Sequence, residues 1–188
     1  MITFNAINVP LPELDKGKVT QWIEDVAKSY GKRIGQVNYI FVDDEEILRI
    51  NRQFIGHDYY TDHIGFDNSQ GNVLIGDTYI SLDTVRTNAE LFGTSYDEEL
   101  HRVIIHSILH LCGIDDHTDE ERQAMEQAED TALKMLEERG AVSSFAAVNR
   151  NGVAGESSPC DWVSFNRCSA TLTCDPVAIN RCGERVSG

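Results

Sequence analysis

Over the first 140 residues the apolar positions fall into two periods, one of about two residues and one of about three and a half. Ile2 to Val9 reads as an opening strand, and Val19, Trp22, Ile23, Val26, Ala27 and Tyr30 then recur on one face of a helix. Gly31 and Gly35 bracket a break before Val37 and Tyr39 to Val42, a β-branched and aromatic run that predicts a buried strand. Asp43 or Asp44 can cap a helix whose Ile47, Ile50, Asn51 and Phe54 share a face. Residues 56–67 read as a loop followed by a brief strand, and Val73 to Ser81 as a longer one. A short helix starts at Asp83 and ends near Gly93. Ser95 with Glu98 predicts a capping box for the next, in which Leu100, Val103, Ile104, Ile108 and Leu111 make an apolar stripe and leave another face free. Thr118 and Glu121 repeat the box, opening a helix with Met125, Ala128, Ala132 and Leu136 inward until Gly140. The expected fold is α+β, a small mixed β-sheet packed against helices.

A length of 188 residues suits one well-buried core. The composition changes after Gly140: Lys and His vanish, Leu172 is the last Leu, and neither period continues. Residues 1–140 are therefore expected to be the domain, and 141–188 a disordered or non-native tail with too little apolar surface to offset its chain entropy. Cys160, Cys168, Cys174 and Cys182 lie in that tail without a C-x-x-C pair, so they do not read as a zinc ribbon.

The net charge of −15 argues against broad adhesion to nucleic acid or anionic membrane, though not against one local basic groove. No run is long and apolar enough for a membrane span, and Met1 to Pro10 lacks the pattern of a secretory signal. A cytoplasmic location is expected.

The chemistry concentrates in His106-Ser-Ile-Leu-His110-Leu-Cys-Gly113-Ile-Asp115-Asp116-His117. On a helix His106 and His110 lie one turn apart on one face, where both imidazoles reach a single cation. Gly113 can end the helix in the left-handed conformation and turn the chain back, so that Asp116 or His117 supplies a third ligand. Three protein ligands with a water in the fourth place make a catalytic rather than a structural site. One Zn2+ per chain, or another first-row divalent ion, is the expected cofactor. Ser107 occupies the place of the general-base Glu in H-E-x-x-H metalloproteases, which disfavours that mechanism. Glu99 lies two turns before His106 on nearly the same face and could orient a ligand, an exposed glutamate being the commoner outcome. His101 is expected to be a surface residue.

This stretch resembles the signature of the YbeY family of metal-dependent single-strand endoribonucleases, approximately H-G-x-L-H-L-x-G-Y-D-H. Asn51-Arg-Gln-Phe54 with His57-Asp-Tyr-Tyr-Thr61-Asp62 is similar to the family's N-R-x-F/Y…K-D-x-P-T-D block, and Gly76-Asp77-Thr-Tyr-Ile80-Ser81 to its G-D-I-x-I-S strand. The family's third ligand falls at Asp116, with His117 one place on, and Ile55 stands where the family has an Arg. The resemblance implies a zinc-dependent endoribonuclease acting on single-stranded rRNA precursors, in 3′-end maturation of the small-subunit rRNA and in ribosome quality control. The small ribosomal subunit is an implied partner, and neither DNA nor membrane is. Asp115 is the candidate catalytic carboxylate, and His57, Asp62 and Arg52 are candidate substrate contacts. A metallohydrolase of peptides or small molecules, and a ribosome-assembly factor whose metal only stabilises a lobe, are the competing expectations.

Overall fold

In the second strand, Val37, Tyr39 and Phe41 join one hydrophobic core while Ile40 and Val42 join another. This alternation makes the strand a partition between two layers. A computed structural model of the chain describes residues 1–139 and the backbone of 170–173. Other expectations for the tail fall outside these residues.

The element order is β1 (Ile2–Ala6), α1 (Lys16–Ser29), β2 (Arg33–Val42), α2 (Asp44–Ile50), β3 (His63–Asp67), β4 (Val73–Ser81), α3 (Leu82–Phe92), α4 (Tyr96–Leu111), α5 (Asp119–Glu138) and β5 (Ala170–Thr173). The sheet runs β1-β2-β4-β3-β5. β1, β2 and β4 are parallel neighbours, β3 is antiparallel to β4, and β5 pairs in parallel with β3. The fold is thus α+β with a mixed sheet, as expected. The larger core joins β2 and β4 to α1, α3, α4 and α5, and the smaller joins Ile47 and Ile50 of α2 to Val42 and Ile64. Two buried hydrogen bonds tie these elements: Trp22 Nε1 donates from α1 to the Ala132 carbonyl of α5 at 2.7 Å, and the Tyr39 hydroxyl from β2 to the Ile104 carbonyl of α4 at 3.1 Å.

Four local expectations need correction. β1 stops at Ala6, before Asn8 takes a positive φ of 64°. Gly35 lies inside β2, where the register with β4 shifts between Ile34 and Val37, so it serves an irregularity in a strand instead of breaking one. α2 gives way at Asn51–Ile55 to one π-helical turn, and its extra residue rotates Phe54 off the Ile47 face to 55% exposure. Asn51 stays buried, its Nδ2 donating to the Tyr59 carbonyl at 2.8 Å.

The fourth correction concerns α4. Its apolar stripe is where the pattern places it, but every residue from Glu99 to Leu111 is buried, so the histidine face is covered too. His101 is among them, its Nδ1 2.6 Å from the Asp97 carbonyl and its ring edge-on to Trp22. Beneath the helix, Gly76 of β4 admits the β3 backbone: a Cβ there would sit 2.7 Å from the Phe66 carbonyl, with Leu111 of α4 at 3.4 Å. Gly76→Ala should cost about 1–3 kcal/mol, the usual range for forcing atoms into a packed interior. Urea denaturation should show it as a lower midpoint at unchanged slope.

Candidate metal centre

Period-two alternation decides which way β3 points its side chains. Ile64 and Phe66 pack in the smaller core, so His63 between Asp62 and Ile64 faces the other layer, towards α4. There its ring meets those of His106 and His110, with centroids 4.9 and 6.1 Å away. One ligand atom from each of His63, His106 and His110 lies within 4.8 Å of the others, a group that could hold a metal ion.

The turn after α4 adds a carboxylate. Gly113 has φ +96°, its N–H returns to the His110 carbonyl at 2.8 Å, and the Ile114 N–H to that of Leu109 at 3.0 Å. Folded back this way, the chain buries Asp116 with Oδ2 3.7 Å from Nε2 of both His106 and His110. His117 lies outside the cluster: it is exposed, and its N–H donates to Glu121 Oε2 at 3.1 Å. Thr118 and Glu121 form the expected capping box, and α5 then runs back along α4.

Each imidazole is held from behind. His106 Nδ1 donates to Glu129 Oε1 at 2.6 Å, His63 Nδ1 lies 3.0 Å from Asp62 Oδ1, and His110 bonds to the backbone of Ile114. Such partners fix the tautomer and leave the other nitrogen for a cation. Glu129 Oε2 is itself held by the buried Arg102 at 2.9 Å. His106 and His110 face each other with Nε2 atoms 2.9 Å apart. Two lone pairs so placed repel unless a proton or cation lies between them. Zinc bonds to nitrogen of about 2.0–2.1 Å in a tetrahedron put neighbouring donors ~3.3 Å apart, a span between the nitrogen–nitrogen and nitrogen–carboxylate separations here. The donor set therefore fits a divalent ion after a shift of a few tenths of an ångström.

Electrostatics divide the two helical histidines. Burial opposes the charged form of His106, but Glu129, with Asp62 and Asp116 behind it, overcomes this and raises its pKa. His110 is held well below its ordinary value, by burial first and then by the neighbouring His106 and His63. Asp62 and Glu129 are buried, which favours the neutral acid, yet their histidine partners lower both pKa values.

The remaining sequence candidates are spread around this centre. Asp62, expected as a substrate contact, is buried and bonded to His63. Asp115 is exposed and lines, with Lys32, Asp67, His110, Leu111, Gly113 and His117, a cavity of about 300 Å³. The carboxylates that orient the imidazoles are Asp62 and Glu129. Arg52 is exposed and paired with Asp58 at 2.6 Å, and His57 stacks on Tyr59. Glu99, for which exposure was the commoner expectation, is buried beside Arg102, Asp62, His106 and Glu129. Ile55 packs against the smaller core.

Two members of the site were missed by sequence reasoning. His63 directly follows the Thr61-Asp62 block, where a histidine beside an acid in a brief strand was the available signal. Glu129 lies between Met125 and Ala132 on the buried face of α5, and a charged residue within an apolar stripe calls for a partner.

The family model for Endoribonuclease YbeY matches residues 6–137. The chain belongs to the YbeY family. It is 58% identical over 134 residues to Endoribonuclease YbeY of Bacteroides thetaiotaomicron, covering 71% of this chain and 98% of that protein. It is 56% identical over 137 residues to Endoribonuclease YbeY of Parabacteroides distasonis, covering 73% and 96% respectively. The solution structure of TM1509 from Thermotoga maritima superposes with a TM-score of 0.52 at 26% identity, covering 78% of this chain and 99% of that one. In this YbeY-family chain His63, His106 and His110 form the group that could hold an ion, with the Asp116 carboxylate 3.7 Å from two of them.

Chelator competition on the purified protein should rank these groups. Asp116→Ala is expected to weaken metal binding and His117→Ala to leave it unchanged. Glu129→Gln should weaken it roughly 10- to 100-fold, the usual effect of removing a carboxylate behind a ligating histidine.

Proposed function

We propose that this chain is a zinc-dependent endoribonuclease that cuts single-stranded RNA, with residues 1–140 as the catalytic domain and 141–188 as a tail from which β5 adds to the edge of the sheet. The observation that carries the reading is the convergence of His63, His106, His110 and the Asp116 carboxylate on one buried point, in a chain of the YbeY family. A donor set of imidazoles and one carboxylate suits zinc, with other first-row ions as competitors. When bound, the ion supplies Lewis acidity towards a phosphate oxygen and brings the pKa of a coordinated water towards neutrality.

The protein's own residues do the remaining work. His106, His110 and Asp116 hold the ion, and His63 offers a further nitrogen from β3. Glu129 and Asp62 keep His106 and His63 in the tautomer that presents the inner nitrogen, and Arg102 fixes Glu129 in turn. Asp115, exposed in the cavity beside His110, accepts a proton from the attacking water. His57 and Arg52, exposed near the π-helical turn, make outer contacts with the RNA chain. The wider role follows the family resemblance: maturation of the 3′ end of small-subunit rRNA and ribosome quality control, in the cytoplasm and in contact with the small subunit. No helix among the described residues is long and apolar enough to cross a membrane.

The decisive experiment incubates metal-reconstituted protein with labelled single-stranded RNA, duplex RNA and casein. Only the single-stranded RNA should be cut. His110→Ala should lose more activity than the roughly 10- to 100-fold expected for a group behind a ligand, with its circular dichroism unchanged. A mutant that cuts as fast as the parent would disprove the assignment.

A further inference from the structure

The cavity of about 300 Å³ beside His110 is at the lower end of the range for small-ligand sites, about 300–1,000 Å³, and it holds one permanent cation, Lys32. Lys32 follows α1, with its backbone N–H on the Ala27 carbonyl at 2.9 Å. Its ammonium donates to the Gly71 carbonyl at 3.3 Å, and among the described residues no carboxylate lies within ion-pairing distance of it. Arg52, Arg122 and Arg102, by contrast, are paired with carboxylates: Asp58, Asp119, and Glu129 with Asp130. Two carboxylates share the cavity. Asp67 is turned into its own loop, accepting the Ser69 N–H at 2.7 Å, and Asp115 is exposed, one residue before the buried Asp116. Lys32 is thus the permanent cation an anion would meet in the cavity, and the His117 ring is a second donor in its lining.

We infer that this cavity is a subsite for a backbone phosphodiester of single-stranded RNA, one that neighbours the scissile phosphate and is held by Lys32 with His117. This rests on the ribonuclease reading and deepens it. An RNA strand running to the His110 side of the centre needs positive charge along its path, and Lys32 supplies it at the wall that reaches His110. Lys32 is then a positioning residue: it fixes the register of the RNA and touches no reacting atom. A phosphate contact of this kind carries affinity and salt dependence without base specificity.

The test measures binding and cleavage of a 5′-labelled single-stranded oligoribonucleotide by the full, metal-loaded chain over a range of KCl concentrations. Lys32→Ala should raise KM roughly tenfold with kcat nearly unchanged, and should lower the slope of log affinity against log salt by about 0.7, the value for one phosphate on a single strand. Lys32→Arg should restore both, and Lys134→Ala, an exposed lysine on α5, should change neither. Metal stoichiometry should stay constant throughout. Parental KM and slope in Lys32→Ala, or a fall in kcat or metal content at constant KM, overturns the Lys32 assignment while leaving the nuclease intact. If the parent neither binds nor cuts RNA, the ribonuclease reading falls first and this inference falls with it.

Discussion

The hydrogen bond from His106 to Glu129 joins the two helices on which this molecule's chemistry depends. Glu129 uses both oxygens, one on the imidazole and one on Arg102, and Arg102 also reaches Asp130 at 3.2 Å. His106, Glu129 and Arg102 are buried between α4 and α5, with Asp130 half exposed at the edge, and removing one partner of such a buried pair costs about 3–5 kcal/mol. The register of α5 against α4 is thereby coupled to the orientation of the His106 imidazole.

A second constraint comes from the sheet. β3 runs antiparallel to β4, which places His63 opposite Ile80 and directs it at α4. A slip of one residue would turn His63 away and point Ile64 at the histidines. The pairing of Asp62 with His63 and of Glu129 with His106 gives the centre two similar histidine–carboxylate units, one from the sheet and one from the helices. The donors are preorganised by elements that cannot move independently, as a site that must hold a cation in one place requires.

Residues 1–140 were largely legible as elements because caps and periods are local. Asp43, Ser95 and Thr118 all accept the N–H bonds expected of helix caps, and the Val73–Ser81 strand has the predicted bounds. Reading failed where a distant contact overrode a local signal. Gly35 looks like a break until β4 is beside it, and Phe54 looks like core until the π-helical turn rotates it outward. His101 and Glu99 carry polar side chains that belong on a surface unless neighbouring helices bury them, as here.

The chain alone determined the pair His106 and His110, one turn apart, and the turn at Gly113 that brings Asp116 back, because spacing on a helix and a left-handed glycine are properties of short segments. It also carried the three blocks by which the family can be recognised. Only the tertiary structure decided that Asp116 is buried at the cluster while His117 is exposed, that His63 and Glu129 belong to the site, and that Lys32 shares a cavity with His110. Those residues meet through strand pairing and the return of α5 along α4, contacts between segments far apart in sequence, and no local pattern encodes which side chains such packing will bring face to face.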